Sequence, residues 1–307
     1  MTRVLKKRII LLANNHKPQV RSALDDLRLW LADRAEIVAE PNIDKPNDYP
    51  DLEQWPDADF AIILGGDGTI LGLARAIVDL QLPIIGVNFG MLGFLADFSI
   101  ADLKTHWDSI MNGQCPTSSR TMLLARVLDS QAPDVTHGKI SQKHIRYQSL
   151  ALNEAVITNG APFRMIDLEL SIAPGLYNSG TTKFSGDGVI IATPSGSTAY
   201  NLSAGGSIIS PGLDVLAITP ICPHSLSFRP IIIDSDAIVS IGCLRLNQGT
   251  TLVLDGQKYT NLHPEEQVCI TKYEKELKLI HNPSLPYWEK LASKMHWASS
   301  PLNHTTK

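Results

Sequence analysis

The sequence predicts an α/β domain with an open, mostly parallel sheet, then a mainly β domain, then a helical tail that packs back on the first domain. Three observations predict it. Over the first third, short continuous apolar runs alternate with stretches of helical period. From Arg120 to Ile280 the chain instead carries short β-rich runs separated by Gly, Pro and Asp turn signals, with the change of character near Gly113. After Pro286 the helical period returns. The predicted division is residues 1–118 with the tail 284–307, and residues 119–283.

Each element has its own local signal. Ile9 to Ala13 is an unbroken apolar run of the kind a buried parallel strand leaves. Pro18 then opens a helix that sets Val20, Leu24, Leu27 and Leu31 on one face. Glu36 to Glu40 reads as a second strand, and the Pro- and Asp-rich stretch from Pro41 to Asp57 reads as a long loop. Ala58 to Leu64 is the next buried strand, Thr69 to Leu80 the next helix, and Pro83 to Val87 a further strand. In the second domain, strands are predicted at 122–128, 151–158, 165–172, 189–193, 231–233, 238–241, 251–254 and 268–271. Pro174-Gly175, Asp187-Gly188 and Asp255-Gly256 mark turns between them. In the tail, Trp288, Leu291 and Met295 share a helical face.

Composition narrows the classes of function. The chain has 307 residues, 44% hydrophobic and 19% charged, which suits two domains of moderate size better than one. A formal net charge of -4 gives no electrostatic footprint for nucleic acid or for an acidic membrane surface, so a small-molecule partner is expected. Cys115, Cys222, Cys243 and Cys269 are widely spaced, with neither a C-x-x-C pair nor metal-ligand spacing to a histidine. They read as buried thiols. The basic N-terminal start leads into an apolar run that Asn14 and Asn15 end short of a signal sequence, and no run approaches the ~20 apolar residues of a membrane span. A cytoplasmic location is expected.

Gly65-Gly66-Asp67-Gly68-Thr69 follows a buried strand and enters a helix, so its backbone N–H groups and the helix start favour an anion such as pyrophosphate. It is neither a P-loop nor a dinucleotide fingerprint, because the lysine and the glycine spacing are missing. A carboxylate is unwelcome beside phosphate unless it has its own task. In phosphoryl transfer to an alcohol, Asp67 could accept the hydroxyl proton or hold Mg²⁺. The same residues also read as a turn with Asp67 or Thr69 capping the helix.

A second constellation runs from Phe184 to Gly206. A buried strand enters a Pro-Ser-Gly turn and a helix start of small residues, where Thr198 and Ala199 let a flat ligand approach backbone. Tyr200 offers a ring for stacking and Ser203 a hydroxyl. Tight packing of a helix start, and a hairpin for Asp187-Gly188, are the plainer readings. Asn153-Glu154 suits a purine edge or ribose hydroxyls, although an exposed Asn-Glu pair is common. Asp255-Gly256-Gln257 alone is a hairpin turn, and His224 and Arg229 lie in a rigid connection between prolines.

Together these stretches closely resemble the NAD kinase family. The residues that carry the resemblance are Gly65 to Thr69, "VNFGMLGFLADF" from Val87, Asn153-Glu154, "DGVIIATPSGSTAYNLSAGG" from Asp187, "PHSLSFRP" from Pro223, Gln257 and "YWEKLASKMHW" from Tyr287. The likeness runs from Ile9 to Trp297. It implies transfer of phosphate from ATP to the 2′-hydroxyl of the adenosine ribose of NAD, with Mg²⁺ or another divalent cation. It also implies a β-sandwich second domain and a homodimer or homotetramer whose NAD site lies between domains and borrows residues from a neighbouring subunit. Under it, Asp67 resembles the general base, with Gly68 beside the ligand and Gly65, Gly66, Gly68 and Thr69 forming the ATP loop. Asn153 and Glu154 resemble the pair that holds adenosine. Asp187, Thr198, Ala199, Tyr200 and Ser203 resemble the wall of the NAD pocket, and Gln257 a further contact.

Two positions depart from the family pattern. Ser185 stands where many members carry Arg or Lys, and loss of one charge-assisted bond costs about 1.5–3 kcal/mol. Ser207 stands where proline usually follows the Gly-Gly pair. Arg164 aligns with a position that is basic or histidine in relatives and is expected to line the same pocket. The glycine motif alone also allows a lipid or sugar kinase, and a non-catalytic NAD or ATP sensor is the other reading. Asp67 speaks against a sensor, since pyrophosphate is bound more easily without that charge.

Overall fold

The computed structural model describes residues 6–13, 18–41, 55–89, 93–132, 140–173 and 180–295. Asn14-Asn15, Pro174-Gly175, Gly90 to Leu92, most of the 41–57 loop, and Trp297 lie outside them. The chain forms two compact units. One comprises 1–73, 82–118 and 278–307, the other 74–81 and 119–277.

The first unit is built on a six-stranded sheet. In chain order it contains β1 (Lys7–Ala13), α1 (Pro18–Leu31), β2 (Ala35–Ala39), β3 (Phe60–Leu64), α2 (Asp67–Ile77), β4 (Ile84–Val87), α3 (Ile100–Thr105), α4 (Trp107–Met111) and β5 (Thr117–Arg120). The sheet order is β2-β1-β3-β4-β18-β5, where β18 is Leu277–Ile280. β1 pairs in parallel with β2 and β3, and β4 in parallel with β3 and β18. The chain winds outward from β1 to β2 and then restarts on the other side at β3. That reversal opens a crevice beyond the C-terminal ends of β1 and β3, where ligands of such sheets sit. The Gly65 to Thr69 loop leaves β3 at that point. Val20, Leu24, Leu27 and Leu31 of α1 are all buried, as their spacing predicts, each contributing about 1.5–3 kcal/mol of apolar transfer.

The second unit is a sandwich of two further six-stranded sheets. Its strands are β6 (Leu123–Leu128), β7 (Ile145–Ala151), β8 (Glu154–Thr158), β9 (Ile166–Ala173), β10 (Gly180–Gly186), β11 (Gly188–Ala192), β12 (Val215–Ile221), β13 (Ile231–Asp234), β14 (Ile238–Arg245), β15 (Thr251–Leu254), β16 (Lys258–Asn261) and β17 (Gln267–Lys272), with α5 (Tyr200–Ser203) between β11 and β12. The orders are β10-β9-β14-β17-β6-β7 and β13-β12-β11-β8-β15-β16. One core joins them: Leu123, Leu168, Val239 and Ile270 from one sheet meet Ile157, Ile191, Ile218 and Leu252 from the other.

In the second unit, three readings of the sequence need correction. The run 151–158 is two strands, because the chain leaves one sheet after Ala151 and enters the other at Glu154. Between them, the N–H groups of Leu152, Asn153 and Glu154 donate to the Asp255 carboxylate at 2.9, 2.7 and 3.2 Å instead of to a strand. Asp187-Gly188 is not a hairpin but another crossing, from β10 in one sheet to β11 in the other. Cys222 is exposed, unlike the three buried thiols. Asp255-Gly256, by contrast, is the expected hairpin between β15 and β16, with φ of 51° and 64° at the two turn residues, as a type I′ turn requires.

The tail forms α6 (Tyr287–Met295) in the first unit. Leu291 is buried, but Trp288 is 57% exposed, so the inward face differs from the one read in the sequence. Inward-facing Lys290 is buried because its ammonium has a partner, Asp97, at 2.6 Å.

Candidate active site

Asp67 is the first residue of α2 and Gly66 precedes it, with the Gly66 carbonyl accepting from the N–H groups of Thr69 and Ile70. The Asp67 carboxylate does not cap its own helix. Its Oδ1 accepts from the N–H groups of Leu95 and Ala96 at 3.1 and 2.9 Å, and Oδ2 accepts from the N–H of Phe94 at 2.8 Å. This seat is cut from the stretch after β4, which folds back so that Val87 bridges Phe98 and Gly93 N–H donates to the Ala96 carbonyl. Two glycines allow the approach. A Cβ on Gly93 would lie 1.9 Å from Asp67 Oδ1, and one on Gly86 would lie 2.7 Å from the Leu95 carbonyl oxygen. Gly66 and Gly68 are exposed, and a Cβ on Gly66 would meet nothing within 4 Å. Among the described residues nothing would crowd a side chain at Gly66, so packing within the protein does not account for the glycine there.

In the second unit, Asn153 and Glu154 start β8 on the turn that Asp255 holds. Asp255 pairs through Oδ2 with Arg75 Nη1 at 2.8 Å, and Arg75 Nη2 donates to Gln257 Oε1 at 2.5 Å. Burial pushes the Asp255 carboxyl up, while the three amides and the guanidinium pull the other way. Glu154 is only 6% exposed, and its Oε2 is buried with no hydrogen-bond partner among the described residues. Burial, and second the charge of Asp255, push its carboxyl up to about 8.

The Pro-Ser-Gly stretch docks on the same turn. Thr193 N–H donates to the Asn153 carbonyl at 2.9 Å, Thr193 Oγ1 donates to the Leu152 carbonyl at 2.6 Å, and a Cβ on Gly196 would lie 2.1 Å from the Asn153 carbonyl oxygen. Ser197 and Asn201 are the buried scaffold: Ser197 Oγ accepts from Ile209 N–H, and Asn201 accepts from Thr219 Oγ1 at 2.7 Å. Thr198 and Ala199 are half-buried, Tyr200 is 45% exposed and Ser203 is exposed. Asp187 accepts from Asn159 Nδ2 at 2.9 Å, and the same amide nitrogen donates to the Arg164 carbonyl at 3.3 Å, so these positions meet through Asn159. The Arg164 side chain is exposed. Ser185 donates to Asp167 at 2.6 Å, and Asp167 in turn pairs with the exposed Arg245.

Sequence reasoning missed Arg75, Asp255 as a carboxylate anchor, Asn201 and the 94–96 seat. Gly93 carried a legible trace, a glycine within "MLGFLADF" with no turn to explain it. Arg75 carried none, since a lone arginine on a helix is usually solvated.

A glycine loop between β3 and α2 with a carboxylate seated at the helix start, in a chain that also carries a β-sandwich, suits a nucleotide-dependent phosphotransferase. Comparison with known proteins gives the family. Residues 9–115 match the ATP-NAD kinase N-terminal domain and residues 152–282 the ATP-NAD kinase C-terminal domain. An NAD kinase of Geotalea daltonii is 36% identical over 296 residues, covering 95% of this chain and 99% of the relative. The fold is shared with yeast NADH kinase complexed with NADH (TM-score 0.79, 22% identity, 99% of this chain and 91% of that one). It is also shared with an NAD kinase from Archaeoglobus fulgidus in complex with ATP (TM-score 0.66, 22% identity, 94% and 98%). The chain belongs to the NAD kinase family, whose members phosphorylate NAD to NADP at the expense of ATP.

Proposed function

We propose that Asp67 is the proton acceptor in transfer of the ATP γ-phosphoryl group to the 2′-hydroxyl of the adenosine ribose of NAD. The observation that carries this is the way its carboxylate is held. A carboxylate offers about four acceptor positions. Among the described residues Oδ1 is filled by two amides, whereas Oδ2 takes the Phe94 N–H alone, so one position on Oδ2 remains for a hydroxyl. As the ribose oxygen bonds to phosphorus and the bond to the ADP oxygen breaks, the hydroxyl proton passes to Oδ2. The amides of Gly66 and Gly68, with Gly65 and Thr69 shaping the loop, carry the ATP phosphates.

Asn153 and Glu154 take the ribose and adenine side of NAD, and a substrate hydroxyl there would give the buried Glu154 oxygen the partner it lacks. Asp187, Thr198, Ala199, Tyr200, Ser203 and Arg164 form the rest of the NAD wall, and Ser185 replaces a cation in it. Gln257 acts at one remove, because its carbonyl already receives Arg75. The NADH and ATP that the two fold relatives bind suit this reading.

A divalent cation fits the donor set in one way only. No group of three or more His, Cys, Asp or Glu residues able to hold a metal occurs among the described residues, so the ion would ride on the ATP phosphates and water. Bound there, such an ion would supply positive charge to offset that of the phosphates.

Self-association as a dimer or tetramer, and a cytoplasmic location, complete the proposal. Four free cysteines suit a reducing compartment, and among the described residues no helix is long and apolar enough to cross a membrane. The test is Asp67→Asn, which keeps the shape of the side chain. NAD binding by calorimetry should persist while NADP formation falls by several orders of magnitude. A variant with near-normal turnover would remove the proton-acceptor role.

A further inference from the structure

We propose that helix α6 positions the catalytic aspartate, with Lys290 as the principal positioning residue. The inference rests on the reading of Asp67 given above. Tyr287, Lys290 and Lys294 lie at i, i+3 and i+7, on one face of the helix. That face grips both ends of the turn that seats Asp67. At one end is Phe94, whose N–H donates to Asp67 Oδ2: the Tyr287 ring lies 6.3 Å from the Phe94 ring, and Lys294 Nζ lies 4.8 Å from its centroid. At the other end is Asp97, directly after Ala96, whose N–H donates to Asp67 Oδ1. Lys290 Nζ meets Asp97 Oδ2 at 2.6 Å, and His281 Nδ1 meets the same oxygen at 2.9 Å. Asn282 Nδ2 donates to the Asp97 carbonyl at 3.2 Å.

The chemistry of the grip favours positioning over bulk stability. Lys290 and Asp97 are 2% and 1% exposed, and a buried ion pair adds little that a well-packed apolar pair would not. What charge supplies is direction. Burial alone would push the Asp97 carboxyl up; His281 and Lys290 outweigh it and hold it below the ordinary carboxylate range. The charged Asp97 is therefore fixed in orientation by two cationic or hydrogen-bonding partners, and the backbone amides just before it inherit that orientation. An error of ~1 Å at a reacting group costs up to about a hundredfold in rate.

The experiment compares Lys290→Met, Lys294→Ala, Tyr287→Leu and Leu291→Ala with the wild type for kcat, KM of NAD, KM of ATP and Tm. Leu291 is fully buried on the same helix but is not part of the grip. Lys290→Met should lower kcat about 10–100-fold with both KM values little changed. Lys294→Ala and Tyr287→Leu should lower kcat by smaller factors, and the exposed Lys294→Ala should do so at unchanged Tm. Leu291→Ala should lower Tm and leave kcat of the folded enzyme intact. In an Asp67→Asn background, Lys290→Met should lower turnover no further, since the group it positions is gone.

Wild-type kcat in a folded Lys290→Met protein, or a fall that Leu291→Ala matches at equal loss of Tm, overturns the inference. If Lys290→Met does not fold, unchanged kcat in both Lys294→Ala and Tyr287→Leu overturns it instead. Asp67→Asn alone separates the two claims. Its full activity defeats the proton-acceptor reading, whereas its inactivity beside an unaffected Lys290→Met defeats only the role of α6.

Discussion

Replacing Arg75 with methionine removes the guanidinium from Asp255 and leaves the carboxylate in place. The two side chains are 7% and 0% exposed and meet at 2.8 Å, so the charge left behind is buried. Breaking a buried pair from one side costs about 3–5 kcal/mol. Asp255 keeps its three backbone donors, which places the expected loss at the lower end, about 3 kcal/mol. For a chain of 307 residues, at about 2.1 cal/mol/K of unfolding entropy per residue, that lowers Tm by roughly 5 °C. The turn at 152–154 loses an anchor behind its carboxylate and Gln257 loses its donor, so KM for NAD should rise while the ATP loop is untouched. The assay is thermal and urea denaturation of Arg75→Met, Asp255→Asn and the double variant, with KM measured for both substrates. The cycle should show a coupling above about 1 kcal/mol between the two positions. A single-variant loss under about 1 kcal/mol, or two strictly additive variants, would refute the reasoning.

Stability should depend on pH through Glu154, whose carboxyl rises from 4.5 to about 8 on folding. Between those values the folded chain holds a proton that the unfolded chain has released, so this contribution is complete below 4.5 and is lost as pH rises through 8, at up to about 1.4 kcal/mol per pH unit. Glu154→Gln should flatten the fall in urea midpoint between pH 5 and 8; an unchanged slope would show that Glu154 is not its source. Gly93→Ala should fold yet lose about a hundredfold or more in kcat, because the new methyl occupies the place of Asp67 Oδ1, and steady-state kinetics beside a circular dichroism spectrum would check both halves. Gly66→Ala, with open space around its Cβ, should keep its Tm and raise KM for ATP; an unchanged KM would remove Gly66 from the phosphate loop.

The buried strands were legible because burial on both faces writes an unbroken apolar run, as in Ile9 to Ala13 and Val189 to Ala192. Apolar edge strands, β2 and β13, were legible too, but polar edge strands were not. β5, β7, β10 and β16 lie at the margins of their sheets and carry polar residues such as Thr117-Ser118, Arg146, Lys183 and Lys258, which write no such run. β12 was hidden by Pro220, which the strand tolerates because the pairing with β13 stops at Ile218. α3 carried a capping box, Ser99 with Asp102, that the sequence reading passed over.

At the site, Asp67 stood out because its charge contradicts its glycine setting. Its seat did not, because the donors are backbone amides of Phe94, Leu95 and Ala96 that any side chains could have carried. Asp255 read as a turn residue and is one, but the sequence does not show that its carboxylate reaches back about a hundred residues to the amides of 152–154. Long-range anchors of this kind depend on the register of β8 against β15, in which Leu254 lies opposite Ala155, and composition carries no record of it.

The central claim is that the Asp67 carboxylate takes the proton from the 2′-hydroxyl of NAD as phosphate arrives from ATP. A single-turnover experiment tests it most directly, with enzyme in excess over NAD, saturating ATP and Mg²⁺, rapid quenching and an NADP-specific readout, for the wild type and Asp67→Asn. The account predicts NADP from the wild type and a chemical step slowed by roughly a thousandfold or more in the variant, at an NAD affinity that stays comparable. A variant that forms NADP within tenfold of the wild-type rate would contradict it.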